Sequence, residues 1–291
     1  MVHCRLCAFA DEADPALEGQ IRAMKENGIG LLEMRGVNGK NVSHLTPAEA
    51  REVKNILDGA DIRVFSLGSP AGKTDIHDSF DKEKEQFLRL LETADIVGAE
   101  CIRLFSFYGT NGDPVYRDEV LLRLSRFAEL AKGHPVRLCH ENEKGIYGDV
   151  ADRCLEIHRA LPELSAVFDP ANFVQCKEDT LRAWDMLAPY VYYGHIKDAR
   201  ADGVVVPPGK GEGQLAGYLP HFFADGHEVL TLEPHLTKFI GRGALEAAGE
   251  GESAAEWQFP SGTVLQPGQY LGVYAAFDFA VKSLKEILSA L

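Results

Sequence analysis

Short apolar runs alternate with longer amphipathic ones along almost the whole chain. RLCAFA is followed by ALEGQIRAMKEN, and IGLLEM by TPAEAREVKNILDG, where Thr46 reads as an N-cap with Glu49 as its capping-box partner three residues on. IRVFSLG precedes KEKEQFLRLLETADIVG, CIRLFSF precedes RDEVLLRLSRFAELAKG, and VRLCHE precedes GDVADRCLEIHRAL. LSAVFD then leads to DTLRAWDMLAPY, VYYGHIKD to a Gly/Pro-rich loop and LAGYLPHFFADG, and EVLTLEP closes the series. The short runs suit buried strands and the longer ones carry helical periodicity.

Strands separated by crossover helices pair in parallel. Eight such units in 291 residues fit a closed (β/α)8 barrel. The competitor, an open doubly wound sheet, usually shows a Gly-rich turn after its first strand, but here that strand runs into FADEAD. The reading is one domain over 1–291, with the barrel in about 1–236 and a C-terminal excursion and helix in 237–291. The excursion, TKFIGRGALEAAGEGESAAEWQFPSGTVLQPG, lacks a clear period and is too long for a simple connection, so it is expected over the barrel mouth or in an oligomer interface. Tyr274, Phe277, Val281, Leu284 and Leu288 recur at spacings of three and four, marking a closing amphipathic helix packed on the barrel or on a partner.

If the barrel forms, function belongs at the C-terminal ends of its strands. Strand five ends HENE, six ends FDPAN, seven ends GHIKD and eight ends LEPH, which offers Glu141, Asp169, His195 and Glu233. Alternate strand residues face the barrel axis, so Glu141 shares a face with Cys139, Asp169 with Val167, and His195 with Tyr193 and Lys197. Three carboxylates aimed at one small volume would raise one another's pKa values unless a cation sat among them. One nitrogen and three oxygen donors suit one divalent metal ion, Mn2+, Mg2+, Co2+ or Zn2+, and the lack of thiolates argues against a structural zinc. Met alone, any one of these residues is more often a cap or an ion-pair partner than a ligand.

Charge and cysteine usage narrow the partners. A net charge of -14 draws in neither nucleic acid nor an anionic membrane, and no stretch is apolar enough to span one, so no nucleic-acid or membrane partner is expected. Six scattered cysteines, with no signal peptide at the N-terminus, suit a cytoplasmic protein. Cys4 and Cys7 form a C-x-x-C with no second pair. On a strand they face opposite ways, so packed thiols are favoured over a metal knuckle.

HENEKGIYGD, FDPANF, GHIKDA and TLEPHL, with FADEAD and LLEMRGVNGKNV at strands one and two, resemble the xylose isomerase-like TIM barrels known as sugar phosphate isomerases/epimerases. The similarity spans nearly the whole chain. It implies a TIM barrel in which Glu141, Asp169, His195 and Glu233 hold a divalent metal, while Glu141 and Glu233 also act as acid and base. It further implies that Glu143 and Asn172 face substrate, and that Lys197 and Asp198 belong to an H-x-K-D signature of the site. Several ketose epimerases carry a His where this chain has Asn172, a departure that puts transfer of their substrate in doubt.

The expected reaction is metal-dependent isomerisation or epimerisation of a small sugar or sugar phosphate, by proton transfer through a metal-stabilised enediolate. The alternative is an inosose-type dehydratase using the same metal and base. An abasic-site endonuclease would need extra rim histidines and a basic face, and a non-catalytic sugar-binding barrel would lack an acid or base. Glu33 and Arg35, on one face of strand two, read either as a substrate-binding pair or as a rim ion pair. His235 reads as a substrate contact or a loop cap, and Asp11 and Glu12 as ligand contacts or caps of the first helix. His140, of opposite parity to Glu141, is expected to pack outward. The loop Gly209, Lys210, Gly211, Glu212, Gly213 is a weak phosphate candidate beside a plain flexible turn. Trp184 and Trp257 read as core or interface, with Trp257 also able to cover a substrate. The excursion and final helix are compatible with a homo-oligomer.

Overall fold

The computed structural model describes residues 3–236 and 273–291. Eight parallel strands close on one another: β1 (Arg5–Ala8), β2 (Leu31–Met34), β3 (Arg63–Leu67), β4 (Cys101–Leu104), β5 (Arg137–Glu141), β6 (Ser165–Phe168), β7 (Val191–Ile196) and β8 (Val229–Leu232). Strand β1 closes the ring, pairing Cys7 with Leu31 of β2 on one side and with Thr231 of β8 on the other. The expected eightfold barrel is therefore the fold. Its helices follow the strands in alternation because a parallel crossover needs one.

Inside the barrel, one side chain from each strand forms a single packed layer: Cys7, Leu31, Phe65, Cys101, Cys139, Val167, Tyr193 and Val229. This layer is the floor of the site. With a side-chain period of two, residues two positions further along most strands also point inward, one level nearer the mouth. They include Glu33, Arg103, Glu141, Asp169 and His195, so the polar groups begin where the apolar plug ends. The larger core lies outside the barrel, between the strands' outer faces and the helices.

Local signals behave as their chemistry requires. Thr46 and Glu49 form the full capping box of α2 (Pro47–Gly59). The last helix, α9 (Val273–Ser289), buries Phe277, Val281 and Leu284 against the barrel. Lys285 Nζ also donates to the Asn27 carbonyl at 2.7 Å, and Asn27 Nδ2 donates to Asp278 Oδ1 at 2.6 Å, fixing α9 beside the end of α1 (Leu17–Glu26). Full burial of a Phe ring contributes roughly 2–3 kcal/mol. The excursion before α9, with Trp257, lies outside the described residues. Cys7 sits in the barrel plug and Cys4 is half-buried, both as free thiols. Trp184 packs in the core against Phe168 and Tyr218. Among the described residues no helix is long and apolar enough to cross a membrane.

Candidate metal centre

Glu141, Asp169, His195 and Glu233 converge: one potential ligand atom from each lies within 4.8 Å of all the others, and all four side chains are buried. His195 Nδ1 is central, at 3.1 Å from Glu141 Oε1, 3.7 Å from Glu233 Oε2 and 3.9 Å from Asp169 Oδ2. Two strand ends are locked in register by an amide, since Asn142 Nδ2 donates to the Asp169 carbonyl at 2.9 Å and its Oδ1 accepts from Asp169 N at 3.0 Å. Asp169 also caps α6 (Pro170–Gln175), its Oδ1 accepting from Asn172 N at 3.0 Å, which turns Oδ2 toward the centre.

The donor set fits a divalent cation. Glu141 Oε2 and Asp169 Oδ2 are buried and make no well-aligned hydrogen bond among the described residues, but each lies 3.1 Å from a cation, Arg103 Nη1 and Lys197 Nζ respectively, so both oxygens are already turned toward positive charge. Three carboxylate oxygens and one imidazole nitrogen form a hard-to-borderline set that could hold Mg2+, Mn2+, Co2+ or Zn2+. Electrostatics inside the cluster give the same answer. Burial would lower the His195 imidazole, but Glu141 and Glu33 outweigh it and raise its pKa to about 10. Burial would raise Glu141, but His195 and Arg103 hold it at about 2. Burial lifts Asp169 to about 6 against the pull of Lys197. The cluster thus recruits positive charge wherever it can, and a bound cation would take the place of the imidazole proton.

Around this centre the other expected site residues sort into different roles. Lys197 Nζ lies 3.1 Å from both Asp169 Oδ2 and Glu233 Oε2. Glu33 sits below His195 and takes hydrogen bonds from Tyr193 Oη at 2.8 Å and Ser66 Oγ at 3.2 Å. Arg35 does not pair with Glu33. Its guanidinium makes a two-point contact with Asp11, at 2.9 and 3.0 Å, and reaches Glu12 and Glu233 at 3.1 Å each. Glu12, Glu233 and His235 form a second acidic group with metal-ligand spacing, and Arg35 is the cation already in it. His235 is held there at the rim, its N donating to Glu12 Oε2 at 2.6 Å and its Nε2 3.4 Å from Glu233 Oε1.

Asn172 spends its amide on the Asn142 carbonyl at 2.8 Å and on Glu141 Oε1 at 3.3 Å, so it braces a ligand. Glu143 is buried, with Oε1 accepting from Lys144 N and Oε2 3.7 Å from Lys73 Nζ. Asp198 departs most from expectation. Its two oxygens accept four backbone N–H groups, from Ala199, Gly209, Gly211 and Gly213, at 2.8–2.9 Å. The N–H groups of Lys210 and Glu212 go to the carbonyls of Pro207 and Ala199. The glycine-rich loop proposed for phosphate is therefore an anion cradle that the chain's own carboxylate fills. Burying Asp198 in this role raises its pKa, with the loop amides opposing.

His140 packs outward as expected, its Nε2 3.0 Å from Ser106 Oγ and its ring against His158. Sequence reading centred on β5–β8 missed the opposite half of the mouth. Arg103, at the end of β4, lies with Nη1 3.1 Å from Glu141 Oε2 and stacks over Phe9 and Phe105. Its inward parity, two residues beyond Cys101, was the available signal. Lys73 and Tyr108 come from loops, where no periodicity points to them.

A family model described as xylose isomerase-like TIM barrel matches residues 21–254. No curated protein matches the sequence significantly. Among solved structures, D-allulose 3-epimerase from Methylomonas sp. in complex with D-allulose superposes with a TM-score of 0.71 at 15% identity, covering 100% of this chain and 98% of that one. IOLI protein with a zinc atom gives 0.70 at 13% identity, covering 98% of each chain. The probable 3-DHS dehydratase AsbF from Bacillus anthracis gives 0.67 at 17% identity, covering 85% of this chain and 96% of that one. At these identities the likeness is one of fold.

Proposed function

The chain belongs to the xylose isomerase-like TIM barrel family, and from that premise we propose that it is a divalent-metal-dependent isomerase or epimerase of a small sugar. The supporting observation is the buried convergence of Glu141, Asp169, His195 and Glu233. A divalent ion held by these four would act as a Lewis acid on a substrate carbonyl, making the adjacent C–H acidic. Glu141 and Glu233 come from β5 and from the end of β8, so their carboxylates approach the centre from different strands. One removes the proton, and either it or the other returns it. Return to the same carbon from the opposite face epimerises, whereas return to the neighbouring carbon isomerises.

Arg103 and Lys197 keep these bases ionised. Lys197 leads the groups that hold Glu233 well below its ordinary range against the upward push of burial. Lys197 also favours a second reading. An ammonium 3.1 Å from Glu233 Oε2 places a proton donor beside one base, which a departing hydroxyl needs, and a lyase expelling water would use it. The deciding experiment incubates the metal-loaded protein in D2O with ketoses, sugar phosphates and inososes, followed by NMR. Deuterium beside the carbonyl with an isomeric product supports the isomerase, and loss of water identifies the lyase. Tight sugar binding with no exchange for any substrate refutes both.

A further inference from the structure

Beyond β3 and β4 the backbone continues past the barrel mouth as a paired ribbon. Phe105 N donates to the Ala71 carbonyl at 2.8 Å, Phe107 N to that of Gly72 at 2.9 Å and Tyr108 N to that of Thr74 at 3.0 Å. Ile76 N in turn donates to the Tyr108 carbonyl at 2.9 Å, so both main-chain groups of Tyr108 are spent. Gly72, at φ +80°, lets the two loops approach this closely, because a Cβ there would lie 2.0 Å from the Phe105 carbonyl oxygen. Phe105 and Tyr108, three apart, would point to opposite faces of an extended chain. Phe107, at φ +65°, breaks that alternation and turns Tyr108 back onto Phe105.

Phe105 and Tyr108 meet Ile146, from the loop after β5, in a small apolar cluster separate from the barrel plug and from the outer core. It borders the candidate metal centre. Arg103 lies over the Phe105 ring, its Cζ 4.8 Å from the centroid, and its Nη1 is 3.1 Å from Glu141 Oε2. Tyr108 is 8% exposed, and its Oη is buried without a hydrogen bond among the described residues. Burial pushes the phenol above its ordinary range, with Glu143 and Glu141 adding to the rise and Arg103 and Lys197 opposing it. The hydroxyl therefore keeps its proton and stands as a neutral donor beside charged groups. Leaving such a group unpaired costs free energy, which a bound acceptor would recover. The four candidate ligands are buried as well, so burial does not set Tyr108 apart from the centre.

We propose that Tyr108 is a substrate-binding residue whose Oη hydrogen-bonds one hydroxyl oxygen of the sugar, and that it thereby selects among sugars. A site built to pair a hydroxyl is left with an unpaired buried group by an analogue that lacks it, and so rejects that analogue. A neutral phenol in an apolar patch suits a hydroxyl better than an anionic group, since the carboxylates of Glu143 and Glu141 are the leading charges acting there. This role for Tyr108 rests on the isomerase reading for the class of ligand, whereas the unspent hydroxyl does not.

Calorimetric titration of the full chain, metal-free and Co2+-loaded, tests this role with D-fructose, D-tagatose and D-allulose, and with the monodeoxy counterparts of whichever binds. Tyr108→Phe should weaken that ketohexose by about three- to tenfold. One monodeoxy counterpart should bind the wild type at least about tenfold more weakly than its parent, and the variant should reduce that difference to below about threefold. The urea midpoint of the ligand-free variant should be no lower than that of the wild type, because removing an unpaired hydroxyl strands no partner. Undiminished binding in the variant, a lowered midpoint, or a deoxy preference that survives the substitution overturns the assignment. Failure of all three ketohexoses to bind the wild type also overturns it. Solvent exchange in D2O separates this role from the isomerase reading. Exchange with an undiminished affinity in Tyr108→Phe refutes only the role of Tyr108, and Tyr108-dependent binding without exchange refutes only the isomerase reading.

Discussion

Glu33 Oε2 lies 3.2 Å from His195 Nε2, directly behind the nitrogen that faces the candidate ligands. The contact is made inside the barrel, where both side chains are fully buried and Tyr193 and Ser66 hold the carboxylate's other oxygen. A carboxylate on Nε2 fixes a proton there, so that a cation displacing the Nδ1 proton would meet that nitrogen's lone pair, the arrangement that strengthens an imidazole as a ligand.

Glu33→Gln should therefore weaken divalent-metal binding by about 10–100-fold while the barrel stays folded. Competition with a chromophoric chelator measures the affinity, and circular dichroism checks the fold. Unchanged affinity would show that Glu33 merely fills space under the imidazole.

Glu141→Gln and Glu233→Gln should each slow solvent exchange of the substrate proton by about 10²–10⁴-fold, the range for losing a positioned acid or base. Both also remove a carboxylate ligand, so the bound-metal content of each variant must be measured alongside exchange. If the two loaded variants kept full turnover on a substrate of the wild type, that result would falsify the proton-transfer reading.

Asp198 should behave as a loop anchor. Removing a carboxylate that accepts four backbone amides leaves those donors competing for water in a confined loop. Asp198→Ala is expected to cost about 3 kcal/mol or more in urea unfolding, and Asp198→Asn less, since it keeps an acceptor oxygen. Raised inorganic phosphate should not rescue activity in the wild type. Saturable phosphate binding at Gly209–Gly213 would contradict the filled cradle.

His158 sets an acid limit on stability. It is buried between His140 and Tyr190, its Nδ1 3.2 Å from the Leu164 carbonyl, and burial lowers its pKa to about 4 against that hydrogen bond. In the unfolded chain it titrates near the ordinary value of about 6.5, so between those values the unfolded state holds the extra proton. Its contribution is complete above about pH 6.5 and is lost as pH falls through about 4, amounting to about 3 kcal/mol. Urea midpoints from pH 7 to pH 4 measure the slope, and His158→Gln should flatten it. An equally steep slope in that variant would assign acid lability to other groups.

How far the chain could be read without its fold follows from where each signal resides. The alternation of short apolar runs with amphipathic ones is a local property, and it specified eight strand–helix units because each element must bury one face. Side-chain period two is local as well. It put Glu141, Asp169 and His195 inward, directly above Cys139, Val167 and Tyr193, and His140 outward, as the barrel shows. The capping box at Thr46 and the buried stripe of the final helix were legible for the same reason.

Which inward groups meet across the barrel is decided by closure, strand stagger and loop conformation, none of which has a local signature. Glu33 and Arg35 share a strand face, yet one supports His195 and the other occupies the Asp11–Glu12 group, because successive inward positions lie at different heights along the axis. Asp198 belonged by spelling to the site motif, but the turn of its loop brings three glycine amides onto it before any ligand can arrive. Lys73 and Tyr108 are far apart in sequence and lie in irregular segments, so only the folded loops after β3 and β4 could bring them to Phe105. The sequence by itself determined the barrel and the inward direction of its strand-end ligands, because those depend on residue periodicity. Tertiary structure decided the partners, because electrostatic pairing depends on distances that only the closed barrel sets.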